Sequence, residues 1–306
     1  MGDRVSLVIP VYNEENMIKI VYTEIQKAVD RLDYEFEMIF VDDGSTDRTY
    51  EEIKRIHDED HENVHCISFS RHFGKESAIF AGLKEARGDC CIVMDCDLQH
   101  PPMTIPEMCR LWKDGYEIVE GVKKSRGREK VLHGLCARLF NSIISRCSEV
   151  DLKDASDFVL IDRIVIDSLL SMPETAPFFR GLSRWVGYRS VKLPFEVGER
   201  RSGKSKWTSK ELVRYAIHNI TIFSSDPLKL VMYMGAIFII GSVIIGGEAL
   251  YRYVTHTALG GFTTVIGLIL LTGGIIMISL GIIGIYISQI YDEVKRRPRY
   301  LIEKSF

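Results

Sequence analysis

At 306 residues the chain is long enough for one large or two ordinary domains, and a net charge of −3 argues against a general nucleic-acid binder. Its seven cysteines (Cys66, Cys90, Cys91, Cys96, Cys109, Cys136 and Cys147) are odd in number and form no Cys-x-x-Cys pair, which points to reduced thiols in a cytosolic setting and away from zinc. The averages hide a change of character: residues 1–226 read as a charged α/β protein, whereas 228–290 contain two long apolar runs.

Val5 to Val11 is a short apolar run, read as the first buried parallel strand. The chain enters this strand at once, so no cleavable signal peptide is expected. Tyr12-Asn13-Glu14-Glu15 follows, then an amphipathic helix to about Leu32. Phe36–Val41 is the second strand and runs into Asp42-Asp43-Gly44-Ser45-Thr46-Asp47, a turn with Asp47 as helix cap. A helix to about His57 leads to a third strand, Val64–Phe69. Gly74-Lys75-Glu76 opens a helix through Ala86, and Cys90–Met94 is the fourth strand. Strands alternating with helices predict a mostly parallel, doubly wound, Rossmann-like sheet. Ligands bind such sheets beyond the carboxyl ends of the strands. Tyr12, Glu14, Asp42, Asp43 and Asp95 all sit just past strand ends and are expected on one rim.

The fourth strand ends in Asp95-Cys96-Asp97-Leu98-Gln99. In an extended chain, residues i and i+2 share a side, so the two carboxylates can face one volume, with Gln99 in reach. They would repel without a cation between them, and Mg²⁺ or Mn²⁺ suits oxygen ligands of this kind together with substrate phosphates. The same residues also fit a solvated acidic turn before Pro101-Pro102. The wider set favours a nucleoside diphosphate site. Asp42 can bind ribose hydroxyls or a base N–H, Tyr12 can cover the base, and Lys75 with the metal ligands can neutralise a pyrophosphate. No Gly-x-Gly-x-x-Gly run is present, which argues against a dinucleotide dehydrogenase.

Pro10-x-Tyr12-Asn13-Glu14, Val41–Asp47 and Asp95-x-Asp97-Leu98-Gln99-x-Pro101-Pro102 resemble the family 2 glycosyltransferases of the GT-A fold. The nearest likeness is to polyprenyl-phosphate glycosyltransferases, namely bactoprenol glucosyltransferases and dolichol-phosphate mannose synthases. By that resemblance Pro10, Tyr12, Glu14, Asp42 and Lys75, with Asp43 and Asp95 beside them, hold the nucleotide sugar, and Asp95, Asp97 and Gln99 hold the metal. His100 stands where an acidic or amide residue is expected.

Gly121 to Arg128 reads as a basic surface loop. In the mannose-synthase relatives a cation after this strand and an Arg-x-x-x-Ser on the next helix grip the lipid phosphate. Lys123, Arg138 and Ser142 match those positions, with Arg126 sharing the work because a lysine is a point charge and not a bidentate fork. The helix around 130–147 carries an apolar stripe that either faces the core or lies in a membrane surface. Asp157 matches the acidic residue often proposed as base in relatives, and is read with Asp97 as catalytic. A phosphate monoester acceptor, with a second pKa of about 6, is mostly dianionic at neutral pH and does not require a base. Phe179–Trp185 lacks the Gln-x-x-Arg-Trp of processive synthases, since Gly181 stands in place of Gln, which favours transfer of one sugar over polymerisation. The basic loop 199–207 reads as a flexible or lipid-binding surface. By resemblance it is the acceptor loop, with Arg200, Ser205 and Lys206 on phosphates.

A second amphipathic helix is expected over 208–227, ended by Asp226-Pro227. Residues 228–251 and 262–290 each exceed the ~20 residues that span a bilayer. Their small residues, among them Ser242, Gly246, Gly273 and Gly281, suit helix–helix packing within or between subunits, so a homo-oligomer is possible. Glu248 either snorkels or pairs with Arg252. Lysines and arginines flank the spans on the domain side, including Lys295, Arg296, Arg297, Arg299 and Lys304. The positive-inside rule therefore places the domain and both termini in the cytoplasm, at a plasma or inner membrane.

The expected organisation is a GT-A domain over 1–207, a juxtamembrane helix over 208–227, and two transmembrane helices with a basic tail over 228–306. The expected activity is metal-dependent inverting transfer of one glucose from UDP-glucose to undecaprenyl (bactoprenol) phosphate. GDP-mannose with dolichyl phosphate is the second reading. A formamido-arabinose or N-acetylhexosamine donor, a sugar polymerase, and a catalytically silent lipid-binding scaffold are the others.

Overall fold

The computed structural model describes residues 3–123, 156–174, 177–196, 226–255 and 262–306. Arg4–Val11 (β1) is buried almost throughout, as expected of an interior parallel strand that packs on both faces. Glu35–Asp42 (β2), Val64–Phe69 (β3) and Cys90–Val93 (β4) lie parallel to one another around it. The intervening helices are Ile18–Val29 (α1), Thr49–Glu59 (α2) and Lys75–Glu85 (α3).

Beyond β4 come a 3₁₀ turn at Pro102–Thr104, Ile105–Lys113 (α4) and strand Ile118–Lys123 (β5). Val159–Asp162 (β6) inserts between β4 and β5 and runs antiparallel to both. Arg163–Ser171 (α5), Phe179–Trp185 (α6) and Ser190–Phe195 (β7) follow. The last strand, Ile302–Ser305 (β8), pairs antiparallel with β3. The sheet has eight strands in the order β7-β5-β6-β4-β1-β2-β3-β8.

Alternation along the strands builds two cores. Val5, Leu7, Ile9, Met38 and Phe40 meet Ile18, Val21 and Ile25 of α1, Ile53 of α2 and Met108 of α4 on one face. On the other face Val8 packs under α3 so closely that a Cβ at Gly82 would come within 2.4 Å of it. The parallel strands β1 to β4 therefore end together on one edge.

Two helices remain, Asp226–Val254 (α7, 29 residues) and Phe262–Val294 (α8, 33 residues). Pro227 occupies the first turn of α7, where its missing N–H costs no hydrogen bond. Both helices are long and apolar enough to cross a bilayer, over Val231–Glu248 and Leu271–Val294. The chain divides into two compact units. Residues 226–295 belong to the second, and Arg296–Phe306 to the first. Residues 296–306, read from the sequence as a basic tail, thus carry a sheet strand. Of the juxtamembrane helix expected over 208–227, residues 208–225 lie outside the described residues, as do the acceptor loop and the stretch around 130–147, while Asp226 and Pro227 open α7. Five cysteines (Cys66, Cys90, Cys91, Cys96 and Cys109) are free and buried; Cys136 and Cys147 fall outside.

Candidate active site

The loops after β1 and β2 are clamped to each other. Asn13 adopts a left-handed conformation (φ 54°), which sets its backbone N–H on Ser45 Oγ at 2.9 Å. Its side-chain oxygen accepts from Thr46 N at 2.8 Å. Glu14 N donates to Thr49 Oγ1 at 2.9 Å, and Asp47, one residue before the Arg48 N-cap and not the cap itself, accepts from Thr49 N at 3.0 Å. Gly44 has φ +70°, and a Cβ there would lie 2.4 Å from the carbonyl carbon of Arg71, so the turn admits no side chain.

The adjacent carboxylates Asp42 and Asp43 have different tasks. Asp42 is 1% exposed; its oxygens accept from Ser45 N at 3.0 Å and Ser68 Oγ at 2.8 Å. A carboxylate offers about four lone-pair sites, so capacity remains for a ligand N–H or O–H. Asp43 accepts from Phe73 N at 2.7 Å and from Gly74 N at 2.9 Å, and pairs with His72 Nδ1 at 2.8 Å. Burial still leaves its pKa raised. The sequence counts Asp43 with the nucleotide residues, whereas its oxygens here are turned to the backbone that launches α3. Tyr12 lies against His72 with ring centroids 4.4 Å apart. Tyr12, Asp42, Ser68 and His72 line a pocket of about 450 Å³ at the strand edge.

Beside the pocket is a cluster of charges. Lys75 Nζ, on the first residue of α3, contacts Asp95 Oδ1 and lies 2.6 Å from Asp157 Oδ2. Arg180 grips the same Asp157 with both Nε and a terminal nitrogen, the latter at 2.6 Å. Burial works against ionisation of Asp157, but Lys75 and then Arg180 outweigh it and hold its carboxyl far below the usual carboxylate range. Burial likewise opposes the charge on Lys75, and Asp95 and Asp157 more than restore it. Glu76, next on α3, accepts from Phe179 N at 2.8 Å, and burial followed by the Asp157 charge pushes it up to about 7. Asp157, unlike Glu76, is so firmly ionised that it is a poor proton acceptor.

Asp97 Oδ1 accepts from Gln99 N at 3.0 Å across Leu98, which is left-handed at φ 57°. Among the described residues no three His, Cys, Asp or Glu side chains gather as a protein-only metal cage requires. That donor set still fits a divalent ion of the Mg²⁺ type, which takes one or two carboxylates and fills its other positions from phosphates and water. His100, in the position where an acidic or amide residue is expected, both packs and hydrogen-bonds: its Nδ1 accepts from Asp95 N at 3.5 Å and its Nε2 lies 3.4 Å from Ser156 Oγ. It is 5% exposed and stacks on Phe158 with ring centroids 5.0 Å apart, and burial lowers its pKa.

The sequence model for Glycosyl transferase family 2 matches residues 6–159, the stretch that holds these loops. The chain belongs to that family. This glycosyltransferase is 38% identical over 309 residues to the uncharacterized glycosyltransferase YkcC of Bacillus subtilis (strain 168), covering 98% of this chain and 94% of the other. It is 34% identical over 303 residues to the prophage bactoprenol glucosyl transferase homolog of Escherichia coli (strain K12), covering 98% and 99%. Among solved structures it resembles glucosyl-3-phosphoglycerate synthase from Mycobacterium tuberculosis, determined in complex with Mn²⁺, UDP and phosphoglyceric acid. The TM-score is 0.53 and the identity 22%, covering 72% of this chain and 77% of that one, a likeness of GT-A fold alone.

Of the residues the sequence singles out, Tyr12 and Asp42 meet in the pocket, and Lys75, Asp95 and Asp157 meet in the charge cluster. Pro10 lies on β1 in register with Val41, and Glu14 follows in the clamped loop. Lys123 is exposed at the end of β5. Arg126, Arg138, Ser142, Arg200, Ser205 and Lys206 lie outside the described residues, as does the pairing of Glu248 with Arg252. Sequence reasoning passes over Arg180 and Arg184. The i, i+4 spacing puts both on one face of α6. Arg180 reaches Asp157, and Arg184 forms a buried two-point pair with Glu120, its Nε 2.9 Å from Oε1. That spacing was the available signal; the partners, 23 and 64 residues earlier, were not legible.

Proposed function

We propose that this glycosyltransferase moves one glucose from UDP-glucose to a polyprenyl phosphate of the undecaprenyl type, with inversion, at the cytoplasmic face of a membrane. The observation that carries the reading is a nucleoside-sized pocket beside the Lys75–Asp95–Asp157–Arg180 cluster, in a chain with two bilayer-length apolar helices. The bactoprenol glucosyl transferase of Shigella phage SfII, 34% identical over 99% of this chain, supports the acceptor and the sugar.

In this reading the base and ribose occupy the pocket, with Tyr12 against the base and Asp42 accepting from it. Lys75 faces the diphosphate, held in place by Asp95 and Asp157. Asp95 and Asp97, with Gln99, would hold Mg²⁺ or Mn²⁺, which when bound neutralises the departing nucleoside diphosphate. Asp157 is a positioning residue: ionised and fixed, it aims Lys75 and Arg180 and takes no proton. The acceptor phosphate is already a dianion at neutral pH, so in-line attack on the anomeric carbon requires charge neutralisation more than base catalysis. Lys123 sits at the end of β5 as the described member of the acceptor-phosphate set, with Arg126, Arg138, Ser142, Arg200, Ser205 and Lys206 proposed beside it.

The test is a donor panel (UDP-glucose, UDP-N-acetylglucosamine, GDP-mannose) offered to the full-length protein in nanodiscs with undecaprenyl phosphate, reading nucleotide release and lipid mass. One added hexose, from UDP-glucose alone, is expected. Release from GDP-mannose only, or a ladder of sugars on the lipid, overturns the reading.

A further inference from the structure

The pocket that holds Tyr12 and Asp42 has a wall from the other end of the chain. Glu303 and Lys304 of β8 line it together with Ser68 and His72. The register explains how. Ser68 pairs with Lys304 and Phe69 with Ile302, so Glu303 is the extra residue of a β-bulge, and bulges re-aim the side chains they carry. Residues directly opposite in an antiparallel pair present their side chains on the same face. Ser68 spends its hydroxyl on Asp42 at 2.8 Å, which puts Lys304 on the Asp42 side of the sheet. There its ammonium lies over the Tyr50 ring, 4.9 Å from the centroid, with Glu303 at 3.8 Å.

This segment is held along its whole length. Cys66 and Phe306 exchange two backbone hydrogen bonds of 3.0 and 3.1 Å, and Ser70 N donates to Leu301 O at 3.0 Å. Tyr300 stacks on Phe69 at 4.9 Å, and Phe306 packs against His57 at 4.4 Å and Tyr50 at 5.7 Å. Arg299 donates to Met172 O at 2.7 Å and Glu174 O at 2.8 Å. An ammonium on so fixed a strand, at the edge of a pocket rich in carboxylates, is pre-organised for an acceptor atom on a ligand.

We propose that Lys304, set by Glu303, is a donor-binding residue that selects the nucleobase by donating to a ring carbonyl, so that the nucleotide site is completed by the strand following the second apolar helix. The inference rests on the nucleotide reading of the pocket. A uracil offers O4 as an acceptor where cytosine presents an amino group, so Lys304 favours UDP over CDP, alongside Asp42, which accepts the N3–H that uracil has and cytosine lacks.

The experiment is calorimetric titration of UDP and CDP, with Mn²⁺ present, into the full-length protein in nanodiscs. It compares wild type with Lys304→Met, Lys304→Gln and the surface control Lys54→Met, each melted first without nucleotide. Both Lys304 variants are expected to melt as wild type does, because that side chain is 55% exposed. They should bind UDP about tenfold more weakly, the worth of one charge-assisted hydrogen bond, with CDP affinity unchanged. Lys54→Met should bind as wild type. Undiminished UDP affinity in both Lys304 variants, or equal losses for UDP and CDP, overturns the proposal and leaves the nucleotide reading intact. Wild type that binds neither nucleotide overturns both.

Discussion

Replacing Asp157 by Asn tests whether that carboxylate is a proton acceptor or a clamp. Asp157 is 3% exposed and receives hydrogen bonds from Lys75 and from two nitrogens of Arg180. Breaking a buried ion pair from one side costs roughly 3–5 kcal/mol. The Lys75 and Arg180 side chains are 38% and 36% exposed, so water recovers part of the loss, and about 2 kcal/mol is expected at neutral pH. For a domain of this size that lowers Tm by about 4–8 °C. The sign with pH follows from the depressed native pKa. The stabilisation is fully present above the unfolded carboxyl pKa of about 4 and is lost as pH falls further below it. Melting curves of wild type and Asp157→Asn should therefore stay apart from pH 8 to about pH 5 and converge in more acidic solution. Turnover in the nucleotide-release assay should fall less for Asp157→Asn than for Asp97→Asn. The reasoning fails if Asp157→Asn melts like wild type while turnover falls as far as in Asp97→Asn or further, because that pattern belongs to a base.

Three other outcomes can be checked. Chelation should abolish nucleotide release and Mg²⁺ or Mn²⁺ should restore it; Asp97→Asn should raise the metal concentration needed for half-activation, read by titrating the ion back. Gly44→Ala, at φ +70° with its new Cβ 2.4 Å from Arg71, should cost about 1–3 kcal/mol in urea unfolding and weaken UDP binding by displacing Asp42. His100, neutral because burial lowers its pKa, should charge on unfolding. Relative to His100→Gln, the wild type should therefore lose stability as pH falls below about 6.5, read as the difference between their pH-dependent melting curves.

Much of the amino-terminal half was readable in one dimension. Buried parallel strands are continuous apolar runs, and their ends were marked by Tyr12-Asn13, Asp42-Asp43-Gly44 and Asp95-x-Asp97. The expected third strand, Val64–Phe69, matches the observed one, since β-branched and aromatic residues there are bounded by polar turns. Two antiparallel insertions were missed. β6 is only four residues long, and β8 is exposed and carries a charged pair, so neither has the periodicity that announces a strand.

Local chemistry is what a linear reading recovers: which residues end strands, which glycine must turn, and which stretches are too apolar for water. Partnership across the fold belongs to the tertiary structure. Asp157 is paired from two sides because α3 and α6 bring Lys75 and Arg180 to it from 82 and 23 residues away. Residues 303 and 304 become pocket wall because β3 has an open edge whose backbone N–H and C=O groups require a partner strand. Burial and long-range pairing set those charges and edges, and neither is written in the order of the residues.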